Sequence, residues 1–332
     1  MILHLKPNIT SDQAAEAARI AQAIHVQSPS GHVLVTSSKV HAVPAEVQAQ
    51  VAESWDFQDD MQLSSRKYLT ETREIHIGEA VLGGSRGNTV MMTGPCSVES
   101  EAQLETSAQL CVELGIKVLR GGAYKPRTSP YTFQGLGLEG LQLLAKMRDK
   151  YGLAIISEVR DATHIEEVIE YADVIQVGAK AMYDQGILRR CGKARKPILI
   201  KRGFGSSLQE LVQAAEFVLA GGNEQVILCE RGIRTFETKT RFTLDLCGAV
   251  YLKAHTNLPV VLDPSHAMGF AYGVPDLARA CTALGVDGLL IESHPNPAQA
   301  KSDAAQQLDP DTFRNLYQSL QPIAQAVGRQ LV

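Results

Sequence analysis

From about residue 88 the chain keeps one rhythm. Short apolar runs alternate with longer stretches whose apolar positions recur at helical spacing. The apolar runs predict strands at 90–93, 117–120, 154–158, 174–177, 198–201, 226–229, 260–263 and 288–291. The amphipathic stretches predict helices at 100–114, 138–151, 162–171, 185–191, 207–220, 239–253, 276–284 and 310–326. Strands that read as near-continuous apolar runs between helices imply a parallel sheet buried on both faces. Eight such units over about 240 residues imply an α/β fold, a closed (β/α)8 TIM barrel. A doubly wound sheet lacks support, because no G-x-G-x-x-G follows the first strand.

The first 70 residues follow a different pattern. A strand is expected at 2–6, then a turn at Pro7-Asn8 and a helix from Ser11, taken as its cap, to about Ile24, with Asp12 and Glu16 near its positive end. A strand follows at 32–37. Pro44 then opens a helix at 45–53 that carries Val47 and Val51, and a last strand is expected at 55–57. This order suggests a small ferredoxin-like α+β domain preceding the barrel. Its histidines His4, His25, His32 and His41 are scattered, which suits surface or packing roles. Between the two parts, runs at 74–77 and 80–82 around Gly78-Glu79 read as a hairpin. The expected division is therefore 1–70 as a regulatory domain, 71–87 as linker and hairpin, and 88–332 as the barrel.

Composition narrows the class. The apolar content of 45% and charged content of 20% are those of a soluble globular protein. A formal net charge of −4 leaves no electrostatic footprint for nucleic acid. No apolar run reaches the roughly 18 residues needed to span a bilayer, and no secretory leader is visible, so no membrane is expected and a cytoplasmic location is. The six cysteines include no C-x-x-C pair, which argues against a zinc ribbon and a disulfide scaffold.

The chemistry gathers where barrel chemistry belongs, at the C-terminal ends of the strands. In order, those ends read Gly94-Pro95-Cys96-Ser97, Arg120, Glu158, Gly178-Ala179-Lys180, Lys201-Arg202-Gly203, Cys229-Glu230-Arg231-Gly232, Asp263-Pro264-Ser265-His266 and Glu292-Ser293-His294-Pro295. The stretch LRGGAYKPRTSPYTFQGLG (119–137) stands out. It carries Arg120, Lys125 and Arg127, no acidic residue, and enough glycine and proline to break any period. Seen alone it is a solvated basic loop. Beside Lys201 and Arg231 it supplies more positive charge than one carboxylate needs, and suits substrates with several negative charges. Cys96, His266, Glu292 and Asp303 compose a mixed thiolate, imidazole and carboxylate set that suits Mn²⁺, Fe²⁺, Co²⁺ or Zn²⁺ rather than Mg²⁺ or Ca²⁺. Each has a simpler reading by itself. Cys96 can be a buried thiol, His266 a histidine satisfied behind the site, and Asp303 a helix cap. His294, two residues beyond Glu292, shares its strand face and competes as a ligand.

GPCSVES, LRGGAYKPRTSPYTFQGLG, ISEVRD, KPILIKRG, ILCERGIRTFE, DPSHAMG and IESHPNPAQAKSDAAQQL closely resemble the 3-deoxy-D-arabino-heptulosonate 7-phosphate synthases across residues 88–310. The chain looks most like the short microbial form, some members of which carry an N-terminal ferredoxin-like regulatory domain. The resemblance implies condensation of phosphoenolpyruvate with erythrose 4-phosphate, at a divalent metal held by Cys96, His266, Glu292 and Asp303. It favours Asp303 over His294. It maps phosphoenolpyruvate contacts to Arg120, Lys125, Lys201 and Arg231, and the sugar phosphate to Arg127 and Thr128. Lys180 and Asp263 join the substrate-binding set, and Lys125 and Glu158 are the candidates for proton transfer. An aromatic amino-acid effector and a homo-oligomer are further implications.

Two departures stand beside it. The segment Gly178–Ala181 reads GAKA where relatives read GARN, which keeps a charge and loses the guanidinium fork. Phe270-Ala271 stands where relatives often show an arginine pair. The sister enzyme that makes 3-deoxy-D-manno-octulosonate 8-phosphate, and an inactive barrel serving as a regulatory subunit, are the competing readings.

Overall fold

The computed structural model describes residues 1–28, 31–125 and 129–332. Eight parallel strands close into a barrel: β7 (Asn88–Gly94), β8 (Val118–Arg120), β9 (Ala154–Val159), β10 (Val174–Val177), β11 (Ile198–Lys201), β12 (Val226–Glu230), β13 (Val260–Leu262) and β14 (Gly288–Glu292), with β14 pairing back onto β7. They follow the N-terminal elements β1 (Ile2–Leu5), α1 (Ser11–Ile20), β2 (Ile24–Ser28), β3 (Gly31–Val35), β4 (Val51–Trp55), β5 (Glu74–Ile77) and β6 (Ala80–Gly83). Around the barrel run α2 (Glu101–Leu114), α3 (Leu138–Tyr151), α4 (Ile165–Tyr171), α5 (Gln185–Cys191), α6 (Leu208–Ala220), α7 (Leu246–His255), the short α8 (Pro264–Met268), α9 (Val274–Ala283) and α10 (Pro310–Ala326). A final strand, β15 (Gln330–Leu331), pairs with β7.

The strands read as apolar throughout because alternate side chains enter two different clusters. Val90, Met92, Val118, Ile156, Val174, Leu199, Ile227, Val261 and Leu290 fill the barrel interior. Met91, Leu119, Ile155, Ile175, Ile200, Leu228 and Leu289 face outward into the helices. The hairpin β5–β6 adds Ile75, Ile77 and Leu82 to the interior cluster, so the floor of the barrel is closed opposite the catalytic end. The helices start on local polar signals. Ser100 caps α2, Ser207 and Glu210 make a capping box on α6, and Asp309 caps α10.

The N-terminal sheet has the order β2-β3-β1-β4, all antiparallel. With β3 lying between β1 and β2, it is the split arrangement of a ferredoxin-like sheet. Four corrections to the sequence reading apply here. Thr10, not Ser11, caps α1, in a capping box with Gln13. The helix stops at Ile20, because Gln22 takes a left-handed conformation (φ 49°) that no glycine or proline announces. The freed segment becomes β2, a strand absent from the sequence reading. The helix expected at 45–53 is only a 3-10 turn at Gln48–Gln50, because Val51 pairs with Leu5 in β4. Sheet pairing overrides the helical spacing of two valines.

One face of this sheet packs on α1 through Leu3, Leu5, Leu34, Ala14 and Ala17. The other sends Ile2, Val26, Val33 and Val35 into the cluster that surrounds the barrel. Behind it, half-buried Glu216 of α6 accepts hydrogen bonds from the amides of Gln62, Leu63 and Ser64 (2.8, 3.2 and 2.9 Å) and from the Ser64 hydroxyl (2.6 Å). Among the described residues no helix is long and apolar enough to cross a membrane.

Candidate active site

Closure of the barrel brings the two ends of the sequence pattern together. Glu292, the last residue of β14, pairs in register with Gly94 at the end of β7, two residues before Cys96. His266 arrives on α8, one turn beyond β13, with Asp263 capping that helix. Ligand atoms of Cys96, His266 and Glu292 all lie within 4.8 Å of one another. Asp303 joins from the loop before α10, its Oδ2 3.1 Å from Cys96 Sγ. Its backbone is left-handed (φ 47°), a conformation that aspartate tolerates better than most residues. His294 points elsewhere: its Nδ1 accepts the Asn296 amide, and its Nε2 lies 3.6 Å from Glu99.

The donor set fits one transition-metal ion. Bonds of about 2.0–2.3 Å to nitrogen, oxygen and sulfur put ligand atoms of one ion roughly 3–4.5 Å apart, close to the spacing found. The His266 imidazole is held below its ordinary pKa by burial, which keeps it in the neutral form that ligates. Its Nδ1 lies 2.8 Å from Asp263 Oδ2 yet makes no well-formed hydrogen bond. Burial also pushes the Cys96 thiol up to about 12, and Glu292 adds to that effect. A cation would reverse it. Gln306 supports the set by donating to Glu292 Oε2 (2.7 Å).

Next to this cluster lies a cavity of about 380 Å³ whose walls include Lys125, Glu158, Lys180, Lys201, Arg231, Arg241, His266 and Asp303. Arg120 is buried behind Glu292, to which its Nη1 donates at 2.9 Å, and its Nε has no partner. Lys125 Nζ donates to Cys96 Sγ at 3.0 Å. Burial works against that ammonium, but Cys96, Glu158 and Glu292 outweigh it and hold the pKa above its ordinary value. Arg231 is buried, and its Nη1 also lacks a partner. Buried donors without acceptors are rare and call for an explanation. Here the explanation on offer is a bound anion.

Glu158 reaches the cavity from the end of β9 and accepts a hydrogen bond from Gln176. It does so across Gly178, where a Cβ would sit 2.3 Å from its Oε1. Asp263 is fully buried and stands behind the cavity wall, accepting from Lys201 Nζ (2.7 Å) and from the His266 amide (2.9 Å). It orients two site residues rather than facing the cavity. Arg127 and Thr128 lie outside the described residues.

Sequence reasoning missed Arg241, Phe204, Phe242 and Gln306. The helix expected at 239–253 begins only at Leu246, with Asp245 as its cap. Residues 231–245 instead form a loop closed by the bridge between Ile233 and Thr243. Arg241 on that loop donates to Gln306 Oε1 (2.7 Å) and Asp303 Oδ1 (3.3 Å). The loop is pinned by Arg202, buried and bonded to Glu230 (2.9 Å) and Asp245 (2.8 Å). The unused signal was Asp245, a capping residue seven positions inside the supposed helix.

A family model described as the DAHP synthetase I family matches residues 67–327. The chain belongs to the DAHP synthetase I family. A phospho-2-dehydro-3-deoxyheptonate aldolase of Thermotoga maritima is 38% identical, over 99% of this chain and 99% of that protein. The crystal structure of that enzyme from the same organism superposes with a TM-score of 0.81 at 37% identity, covering 100% of this chain and 99% of the other. A 2-dehydro-3-deoxyphosphooctonate aldolase of Acidithiobacillus ferrooxidans is 31% identical over 72% of this chain and 91% of its own length. Relatives of the second kind thus match less of the chain, whereas the first match includes the N-terminal sheet of this family member.

Proposed function

We propose that this chain condenses phosphoenolpyruvate with erythrose 4-phosphate to give 3-deoxy-D-arabino-heptulosonate 7-phosphate and inorganic phosphate, the entry step of the shikimate route to aromatic amino acids. One observation carries the reading. A single cavity joins the edge of a thiol–imidazole–carboxylate cluster to the buried Arg231 guanidinium, whose Nη1 has no partner. The full-length similarity to a protein named phospho-2-dehydro-3-deoxyheptonate aldolase supports it.

In this reading Arg120, Lys125, Lys201 and Arg231 neutralise the phosphate and carboxylate of phosphoenolpyruvate and fix its face. Arg127 and Thr128 hold the phosphate of the aldehyde sugar, and Lys180 adds positive charge beside it. Asp263 acts through the residues it holds, keeping Lys201 and His266 in place. Cys96, His266, Glu292 and Asp303 hold a divalent ion (Mn²⁺, Fe²⁺, Co²⁺ or Zn²⁺), which when bound supplies Lewis-acid polarisation of the aldehyde. The enol C3 attacks that aldehyde carbon, water adds at C2, and the resulting hemiketal phosphate releases phosphate. Lys125 and Glu158 border the cavity and serve as the proton-transfer groups.

Residues 1–70 form the regulatory domain, residues 71–87 the linker and hairpin, and residues 88–332 the catalytic barrel of a cytoplasmic homo-oligomer whose effector is an aromatic amino acid. The test follows loss of enolpyruvate absorbance with erythrose 4-phosphate or arabinose 5-phosphate, with and without a chelator. Chelator-sensitive turnover of the four-carbon sugar supports the proposal. Turnover of the five-carbon sugar alone transfers the chain to the octulosonate branch, and no turnover with either overturns both.

A further inference from the structure

Arg231 is held in an unusual way. It is 4% exposed, its Nη1 has no hydrogen-bond partner among the described residues, and Asp263 acts on it through electrostatic attraction. A buried cation with an unpaired donor is costly unless something else holds it. What touches it instead is an aromatic face: the guanidinium carbon lies 4.3 Å from the centre of the Phe242 ring. Phe242 stacks in turn on Phe204, with centroids 5.5 Å apart and planes 27° apart. Arg234 covers Phe204, 4.8 Å from its centre. Arginine, two phenylalanines and a second arginine thus form one continuous stack along the cavity wall.

The backbone builds this stack. Ile233 and Thr243 exchange amide hydrogen bonds, both of 2.9 Å, which sets Phe242 beside Arg231 across the loop. The Phe242 amide donates to Ala267 O (2.9 Å), and the Arg234 amide donates to Phe204 O (2.7 Å). Gly232 makes room: at its φ of +97° a Cβ would lie only 2.7 Å from Phe242 Cβ, which leaves no space for a side chain. A carboxylate partner would hold Arg231 as firmly, but would occupy the donors that an anionic substrate needs. A ring face holds the cation and leaves those in-plane donors open.

We propose that Phe242, braced by Phe204 and Arg234, is a positioning residue that holds the Arg231 fork open for the phosphoenolpyruvate anion. This rests on the substrate reading above. The test compares Phe242→Leu and Phe242→Tyr in the full chain, measuring kcat, both KM values and direct phosphoenolpyruvate binding by calorimetry. A cation–π contact away from water is worth on the order of a tenfold change in affinity. Phe242→Leu is therefore expected to raise the KM and Kd for phosphoenolpyruvate about tenfold, with the KM for erythrose 4-phosphate and kcat within about twofold of wild type. Phe242→Tyr, which keeps the ring face, restores binding to within about twofold. If Phe242→Leu does not fold, Phe204→Leu, which removes the brace, is expected to shift the same KM in the same direction by about threefold. Unchanged phosphoenolpyruvate affinity in a folded leucine variant, an equal rise in both KM values, or no rescue by tyrosine overturns the proposal while wild-type turnover leaves the substrate reading standing. A wild-type protein that binds no phosphoenolpyruvate sinks the substrate reading, and this proposal with it.

Discussion

Cys96 is the residue whose chemistry most depends on its neighbours. Burial, with Glu292 adding to it, pushes its pKa up to about 12 and keeps it a thiol, and Lys125 offers it only one hydrogen bond. A bound divalent ion would make it a thiolate ligand. Cys96→Ala is therefore expected to lower the metal bound per chain, measured by elemental analysis after dialysis, and to reduce turnover by on the order of a hundredfold or more. Retained metal content with full activity would remove Cys96 from the ligand set. At this scale the sequence was readable where chemistry demands a rare residue type at a strand end, as with Cys96, His266 and Glu292. It was unreadable for Arg241 and Phe242. Their role arises from a loop that local spacing disguised as a helix, and from contacts with residues far away in the chain.

Among the elements, the barrel strands were legible almost to the residue, because burial on both faces leaves little but apolar side chains. The N-terminal sheet was not, since β2 and β4 are short, half polar and defined by their partners. The contact of α6 with the segment 62–64 is equally invisible in sequence, yet it joins the two parts of the chain. Glu216→Ala strands three backbone amides and is expected to destabilise the protein by about 3 kcal/mol in denaturant titrations. The pH dependence has a definite sign. Burial outweighs the donors around Glu216 and holds its pKa above the ordinary carboxylate value. Stability from such a group is complete below its unfolded pKa of about 4.3 and is lost as pH rises through the higher folded value. The stability of wild type relative to Glu216→Gln should accordingly be greater at pH 5 than at pH 8. A difference that grows toward alkaline pH would show that the carboxylate is held ionised.

For the molecule as a whole, the apolar clusters predict how far the parts are separable. The α1 face of the N-terminal sheet has its own cluster, while the opposite face shares the cluster of the barrel. A chain starting at Gln62 keeps the Glu216 clamp and is expected to fold and to turn over both substrates within about threefold of the full chain. It is also expected to lose any inhibition by tyrosine or phenylalanine. Inhibition that survives the truncation would place the effector site on the barrel. At the other end, Leu82→Ala is expected to lower stability by about 3 kcal/mol, with kcat unchanged, since Leu82 belongs to the floor.

That floor has a consequence for traffic. A tube filled at one end by Ile75, Ile77 and Leu82 opens at the other, where the cavity lies. Reactants, heptulosonate and released phosphate must all pass the same rim, and a guest seated against Arg120 and Glu292 sits deeper than one resting near Lys180. The deeper guest is therefore expected to be seated before the outer one.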